Sequence, residues 1–263
     1  MTKSIYKCPE QYAQDIIKSF NLTPPIDLDI ILECFDIKVN YETLKTMEAL
    51  LIISPGKKNI VLDKDRARNV KRDRFTIAHE IGHYLMPWHD TLQQWDNTIN
   101  FDLDDKIEQE ANDFASELLV PEEYLLQDIK DKKLTLDLIK SLSEKYNVSL
   151  VVMARRILKY SQVEAIALIY YSNGKKYVQM KSSVFKGELK EGMIKDSSAH
   201  KLIKTYNSSA ETKEILDYDV WFNQNIDNYK VVEESIYQSK LGRVFTLIRK
   251  ADFEDELDLN WDF

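Results

Sequence analysis

The chain has 263 residues, of which 44% are hydrophobic, and its formal net charge is −8. This length and composition are typical of a folded globular protein with one large core or two modest ones, and the negative charge disfavours a general nucleic-acid coat. No stretch approaches the roughly 18 consecutive apolar residues of a membrane span, and the first residues lack the apolar core of a secretory signal. We therefore expect a cytoplasmic protein that makes no use of a membrane.

The charge is distributed unevenly along the chain. Residues 1–131 carry −10, residues 132–160 carry +5 and residues 161–263 carry −3. A basic segment therefore lies between two acidic ones. The two cysteines, Cys8 and Cys34, have no partner at metal-ligand spacing, and we expect both to be reduced thiols.

The N-terminal part of the chain alternates between helical and strand patterns. Its apolar spacing, its β-rich runs and the turn dipeptide Pro55-Gly56 identify the elements. The predicted elements are helices over 9–20 and 26–35, a strand over 36–44, and a hairpin with strands near 48–54 and 58–63.

The next helix, over residues 75–86, carries the most informative pattern of the chain. Its sequence is FTIAHEIGHYLM, and at about 100° per residue its apolar side chains cover most of the circumference. The remaining narrow sector is polar and consists of Thr76, His79, Glu80 and His83. A helix that is apolar nearly all round is normally buried, so this stripe faces either bonded polar partners or a wet cleft.

The spacing within the stripe suits metal-assisted hydrolysis. Histidines four residues apart on one helix can bind one Zn2+, and a glutamate next to the first histidine can act as the general base. We therefore predict His79 and His83 as zinc ligands and Glu80 as the catalytic base. A structural zinc or two hydrogen-bonded core histidines is the alternative for this motif taken alone.

A catalytic zinc needs a third protein ligand. The candidates are His89, His200 and the downstream carboxylates. On a predicted helix over 106–121, Glu110 borders the apolar stripe, Glu117 shares that edge, and Glu108 lies on the other edge. Glu110 is the first choice and Glu117 the second. We otherwise expect His89 and His200 to be surface or capping residues.

Two motifs together resemble the ImmA/IrrE family of bacterial metalloendopeptidases. HEIGH is followed by EQEANDFASELLVP, and the stretch PIDLDIILECFDIKV is similar to that family's opening helix and strand. The resemblance covers about residues 10–160. It implies a zincin-like domain with zinc ligands His79, His83 and Glu110, and Glu80 as general base. The sequence departs from the family's pattern at Pro87 and Trp88, so that the next histidine falls at position 89.

The basic segment 132–161 has the pattern of a helix-turn-helix, with a break near residues 146–149. Its basic side chains invite a DNA-binding interpretation, and the alternative is a helical layer with a solvated basic face. The acidic neighbouring domain opposes phosphate binding, so we favour the structural role. The basic side chains concerned are Lys140, Lys145, Arg155 and Arg156.

From about residue 162 the sequence changes to strand patterns. Two strands flank the Asn-Gly turn at 173–174, two more are expected near 229–237 and 242–250, and a helix near 198–206 separates the pairs. We expect the acidic end, from residue 252, to be a solvated tail.

These features predict an α+β protein with three segments. They are a zincin-like metallopeptidase domain (1–131), a helix-turn-helix-like segment (132–161) and an α+β domain for recognition, sensing or dimerisation (162–263). The resemblance implies limited, regulatory cleavage of a protein substrate, a helix-turn-helix transcriptional repressor of a mobile element or stress response. The alternative function is a non-catalytic module that keeps the zinc fold and binds protein or DNA.

Overall fold

The structure is a computed structural model of mixed α+β architecture. It divides into two compact units, Met1–Asp128 with Leu142–Val152, and Ile129–Ser141 with Met153–Phe263. The described residues are 7–44, 47–65, 69–89, 101–171, 175–192, 194–205, 209–224 and 229–258. No helix among them is long and apolar enough to cross a membrane.

The first unit begins with two short helices that the sequence predicts. Helix α1 spans Pro9–Ser19 and helix α2 spans Leu28–Cys34. Proline is favoured in the first turn of a helix, and Asp27 caps α2 by accepting a bond from the backbone N–H of Asp29. Both cysteines are free and exposed, as expected.

A small sheet follows, and the predicted hairpin is confirmed. Strands β1 (Ile37–Glu42), β2 (Ala49–Ser54) and β3 (Lys57–Asp63) have the order β1-β3-β2. Strand β3 is antiparallel to β2, across a turn in which Gly56 has a φ of 72°, and parallel to β1. Because β3 is central, its apolar side chains are buried, whereas those of β2 are largely exposed.

Helix α3 (Val70–Leu85) contains the HEIGH motif and is longer than predicted. Asn69 caps its N-terminus by accepting bonds from two backbone N–H groups, and this cap places the start five residues earlier. The helix ends at Leu85, and Met86 adopts an extended conformation. Pro87 has no N–H to continue the helical ladder, so the chain turns away at this point.

Helix α4 (Phe101–Leu119) packs against α1 and α3. Its contact with α3 is close because Gly82 has no side chain. A Cβ atom at Gly82 would lie 2.9 Å from Cδ1 of Phe114, which is fully buried. The glycine therefore sets the separation between helices α3 and α4.

Three helices follow: α5 (Glu122–Ile129), α6 (Leu136–Lys145) and α7 (Leu150–Tyr160). The predicted break between α6 and α7 is confirmed, since Asn147 has a φ of 51°. Helix α5 is not part of the sequence prediction. Residues of α6 and α7 contribute to both compact units.

The second unit is built on a five-stranded antiparallel sheet with the order β5-β4-β8-β7-β6. Helix α8 (Ser198–Thr205) packs on this sheet, around a core that includes Trp221. The strands are β4 (Ala165–Tyr171), β5 (Lys176–Lys181), β6 (Ala210–Asp217), β7 (Lys230–Gln238) and β8 (Arg243–Lys250).

Some elements of this unit are not predicted from the sequence. They are β6, the short helix α9 (Tyr218–Trp221), a 3-10 turn (Ser239–Leu241) and helix α10 (Phe253–Asp258). Residues 253–258 are helical, and the expectation of a solvated tail is wrong at Asp255, whereas Phe253 and Glu254 are exposed as expected. Asp255 is fully buried and accepts two bonds from the guanidinium of Arg249, at 2.6 and 2.9 Å, because a buried arginine needs a paired charge. Residues 259–263 lie outside the described part.

Candidate metal centre

The predicted polar stripe of helix α3 faces a cleft of about 680 Å³. Its four members, Thr76, His79, Glu80 and His83, all line this cleft. His83 is 8% exposed, so its ring lies at the floor. The Nε2 atoms of His79 and His83 are 3.0 Å apart, as expected for side chains one helical turn apart that converge on one point.

A carboxylate from helix α4 completes this group. Glu108 Oε2 lies 3.1 Å from Nε2 of His79, and Oε1 lies 3.4 Å from Nε2 of His83. Among the described residues, His79, His83 and Glu108 are a group of potential metal ligands whose ligand atoms all lie within 4.8 Å of one another. Ligands of a tetrahedral ion with bonds of about 2.0–2.1 Å, as in Zn2+ sites, are roughly 3.3 Å apart. The three separations therefore fit such an ion.

The outer nitrogens of both histidines have partners. His79 Nδ1 lies 3.1 Å from Oδ1 of Asn112, and His83 Nδ1 lies 2.9 Å from Nδ1 of His89. An amide oxygen only accepts, so His79 donates from Nδ1 and its Nε2 carries a lone pair. The lone pairs of two imidazoles and a neighbouring carboxylate then create a negative electrostatic potential at one point. A cation bound at that point would be stabilised by this potential.

The electrostatics of the cluster also favour positive charge. Burial lowers the pKa of His79, but hydrogen bonding and the charge of Glu108 outweigh it, so this pKa lies above its ordinary value. Hydrogen bonds from the two histidines hold the pKa of Glu108 well below its usual range. A cation bound between these groups replaces the proton that they otherwise share.

Glu80 has a different environment. Burial raises the pKa of its carboxyl above the ordinary value, and the neighbouring histidines lower it by less. It lines the same cleft as the three potential ligands. A carboxylate with a raised pKa is a better proton acceptor, which is the property required of a general base.

Glu110, the predicted third ligand, is not part of the histidine–carboxylate group. Its Oε2 accepts a bond from the indole N–H of Trp88 at 2.6 Å and lies 3.3 Å from Nε2 of His89. Glu108 and Glu110 are about 200° apart on the helix, and it is the edge carrying Glu108 and Asn112 that faces the histidine pair. The geometry thus places Glu108 where Glu110 was expected.

The group of potential metal ligands contains none of the other third-ligand candidates. Glu117 is buried and accepts bonds from Gln14 Nε2 and from the backbone N–H of Glu122. His200 lies on α8 of the second unit. His89 corrects the expectation of a surface residue, since it is 1% exposed; Pro87 turns the chain so that His89 folds back onto His83.

Comparison with known families agrees with this geometry. Residues 32–158 match the peptidase M78 family, described as the IrrE N-terminal-like domain. These residues form an IrrE N-terminal-like domain. The resemblance to the ImmA/IrrE family inferred from the sequence is therefore confirmed, and the M78 domain contains the complete group of His79, His83 and Glu108.

Among solved structures, the chain is similar to a Mycobacterium tuberculosis transcriptional regulator. The two chains are 13% identical with a TM-score of 0.61, and the similarity covers 92% of this chain and 76% of that chain. At this identity the likeness concerns the fold alone. No curated protein matches the chain.

An edge strand forms one wall of the cleft in the M78 domain. Strand β2 pairs with β3 on one side, and within the described residues no strand pairs with its other side. Its apolar side chains are unusually exposed for their type: Leu50 is 40% exposed and Ile53 is 45% exposed. Both line the cleft that contains Glu80.

The basic side chains of α6 and α7 are largely engaged within the protein. Lys140 pairs with Asp137 and Glu211, and Lys145 pairs with Asp128. Arg156 is buried and its guanidinium lies over the ring of Tyr160, whereas Arg155 is exposed. Three of the four basic residues therefore make contacts that stabilise the protein itself.

Proposed function

We propose that the protein is a zinc-dependent endopeptidase that makes a limited cut in a protein substrate. The observation that carries the proposal is the convergence of His79, His83 and Glu108 at distances suited to a tetrahedral ion, beside Glu80 in an open cleft. Two histidines and one carboxylate are the ligand set of several zinc peptidases, with one position left for water or substrate.

The chain's own residues account for the proton transfers of hydrolysis. When bound, zinc supplies Lewis acidity and lowers the pKa of a water molecule at the site. Glu80 takes one proton from the attacking water while the water oxygen forms a bond to the carbonyl carbon. The C–N bond then breaks, and Glu80 returns the proton to the leaving amine. Asn112 holds the ring of His79 throughout.

Strand β2 supplies a surface for the substrate backbone. An extended segment can add to an exposed sheet edge through main-chain hydrogen bonds, with its side chains filling alternate pockets. The exposed Leu50 and Ile53 favour a segment with apolar side chains. We expect Leu50→Asp to raise KM about tenfold, a loss of roughly 1.4 kcal/mol in binding, without changing zinc content.

The substrate that the family resemblance implies is a helix-turn-helix transcriptional repressor. Such a substrate would have to present its scissile bond in an extended segment, because an intact helix cannot pair with a strand edge. The proposal is therefore a single cut in a linker or a locally unfolded region rather than general degradation.

One experiment tests activity and mechanism together. The purified full-length chain is loaded with zinc and incubated with the repressor encoded beside its gene, with and without a chelator. Intact-mass spectrometry then detects the products. We expect two fragments from one cut, none with chelator and none with Glu80→Gln. Unchanged cleavage by Glu80→Gln, or zinc-independent cleavage, contradicts the proposal.

A matched pair of variants tests the ligand assignment. Glu108→Ala and Glu110→Ala remove equivalent carboxylates from the same helix. We expect the first variant to bind no stoichiometric zinc and the second to bind one zinc per chain, more weakly than wild type, when both are equilibrated with saturating Zn2+ and measured by atomic emission. The opposite result would restore Glu110 as the third ligand.

A further inference from the structure

A chain of hydrogen bonds leads from His83 away from the cleft. His83 Nδ1 lies 2.9 Å from His89 Nδ1, and His89 Nε2 lies 3.3 Å from Oε2 of Glu110. The indole of Trp88 donates to the same oxygen at 2.6 Å. His89 is buried, and the mechanism above uses none of these three outer residues.

The direction of each bond follows from the donor inventory. The Glu110 carboxylate only accepts, so His89 donates from Nε2, and a neutral His89 then has a lone pair on Nδ1. Because Nδ1 of His89 faces Nδ1 of His83, the proton between them belongs to His83. The Nε2 atom of His83 is then unprotonated, and this atom faces His79 and Glu108.

We infer that His89 and Glu110 are positioning residues that fix His83 in the tautomer and ring orientation required for metal binding. The inference rests on the proposed metal site and assigns a role to two residues outside the ligand set. Asn112 does the same for His79, so each histidine has its own partner. Outer partners of this kind typically contribute 10- to 100-fold to metal affinity.

Packing holds this outer layer in place. Tyr12 of helix α1 contacts the Trp88 ring edge-on, with ring centroids 5.6 Å apart. The His83 and His89 rings are 4.9 Å apart, and the His89 ring meets Trp88 edge-on at 5.6 Å. His89 therefore has little freedom to rotate away from His83, which is what a positioning role requires.

Zinc affinity of full-length variants tests the inference. His89→Leu removes both nitrogens at similar volume, and His89→Asn keeps a polar group near the position of Nδ1. Competition with a chromophoric chelator for Zn2+ alone should show 10- to 100-fold weaker binding for His89→Leu and recovery to within a few-fold for His89→Asn. Asp113→Asn, on the same helix but bonded to Gln109, is the matched control and should bind like wild type.

A spectroscopic signature in the zinc-loaded wild-type protein tests the same inference without a variant. Histidine side-chain 15N resonances should show Nδ1 protonated in His83 and unprotonated in His89. The inference is overturned if zinc binds Nδ1 of His83, if Nδ1 of His89 carries a proton, or if a folded His89→Leu variant binds zinc with wild-type affinity. None of these results contradicts the proposed function. A wild-type chain that binds no stoichiometric zinc overturns both. If His89→Leu does not fold, the resonances and His89→Asn decide.

Discussion

Gly82→Ala tests whether the spacing of helices α3 and α4 sets the geometry of the metal centre. The added Cβ would lie 2.9, 3.2 and 3.3 Å from three atoms of Phe114, closer than side-chain carbons tolerate. Phe114 is fully buried and cannot rotate into solvent, so one helix must move by about 0.5 Å to restore ordinary contact near 3.5–4.0 Å. Glu108 and Asn112 are on the helix that moves relative to the histidines.

The expected magnitude is a balance of two effects. Overpacking costs about 1–3 kcal/mol, and replacing glycine by alanine within a helix recovers about 1 kcal/mol. The net loss of about 1 kcal/mol corresponds to a Tm decrease of roughly 4 °C for a unit of this size. We expect zinc affinity to fall about tenfold, the lower end of the effect of disturbing the groups that orient metal ligands.

Differential scanning calorimetry and chelator competition measure the two effects of Gly82→Ala. Phe114→Leu combined with Gly82→Ala is the control, because the smaller side chain makes room for the methyl group. A double-mutant cycle should give a coupling energy of about 1 kcal/mol. A Gly82→Ala protein with an unchanged or higher Tm and wild-type zinc affinity would refute the reasoning.

Two further predictions concern the metal centre, and one concerns the second unit. Glu80→Gln should reduce the cleavage rate by about 10²- to 10⁴-fold while zinc content stays at one per chain; loss of zinc would point to a structural role instead. Zinc affinity should fall as pH decreases from 8 to 6, because His79 has a raised pKa and must release its proton to bind metal; equal affinity at both pH values would contradict this. Glu233→Gln should destabilise the second unit by about 3 kcal/mol in urea unfolding, because the carboxylate accepts four buried hydrogen bonds and an amide leaves donors unpaired. Glu211 is exposed and forms only a surface ion pair, so the control Glu211→Gln should cost under about 1 kcal/mol.

Helix periodicity was sufficient to predict one half of the site. Thr76, His79, Glu80 and His83 share a face because of the 3.6-residue repeat, and the single polar sector of a buried helix faces either bonded polar partners or a wet cleft. The structure places all four residues along the same cleft. This half depends on local geometry alone.

The second half depends on which edge of helix α4 faces α3, and periodicity does not determine this. Glu108 and Glu110 both border the apolar stripe, on opposite edges. The sequence did contain a relevant signal in Asn112, four residues after Glu108, because an amide on the same face can orient a metal-binding histidine. When Asn112 is taken into account, Glu108 is a better candidate than Glu110 for the third metal ligand.

Long-range contacts explain the remaining differences. His89 is buried because Pro87 reverses the chain beside the site helix, and a linear sequence shows only the break. Strand β6 lies at the edge of the second sheet and has charged residues at four of its eight positions, so it lacks the apolar run of a central strand. The buried pair of Arg249 and Asp255 appears in the sequence as one basic residue and an acidic tail.

X-ray diffraction with anomalous scattering at the zinc edge tests the central claim most directly. Crystals of the zinc-loaded full-length protein should show one anomalous peak about 2.0–2.2 Å from Nε2 of His79, Nε2 of His83 and a carboxylate oxygen of Glu108, within the cleft that contains Glu80. A zinc ion coordinated by Glu110 in place of Glu108, or no peak between the two histidines, would contradict the account.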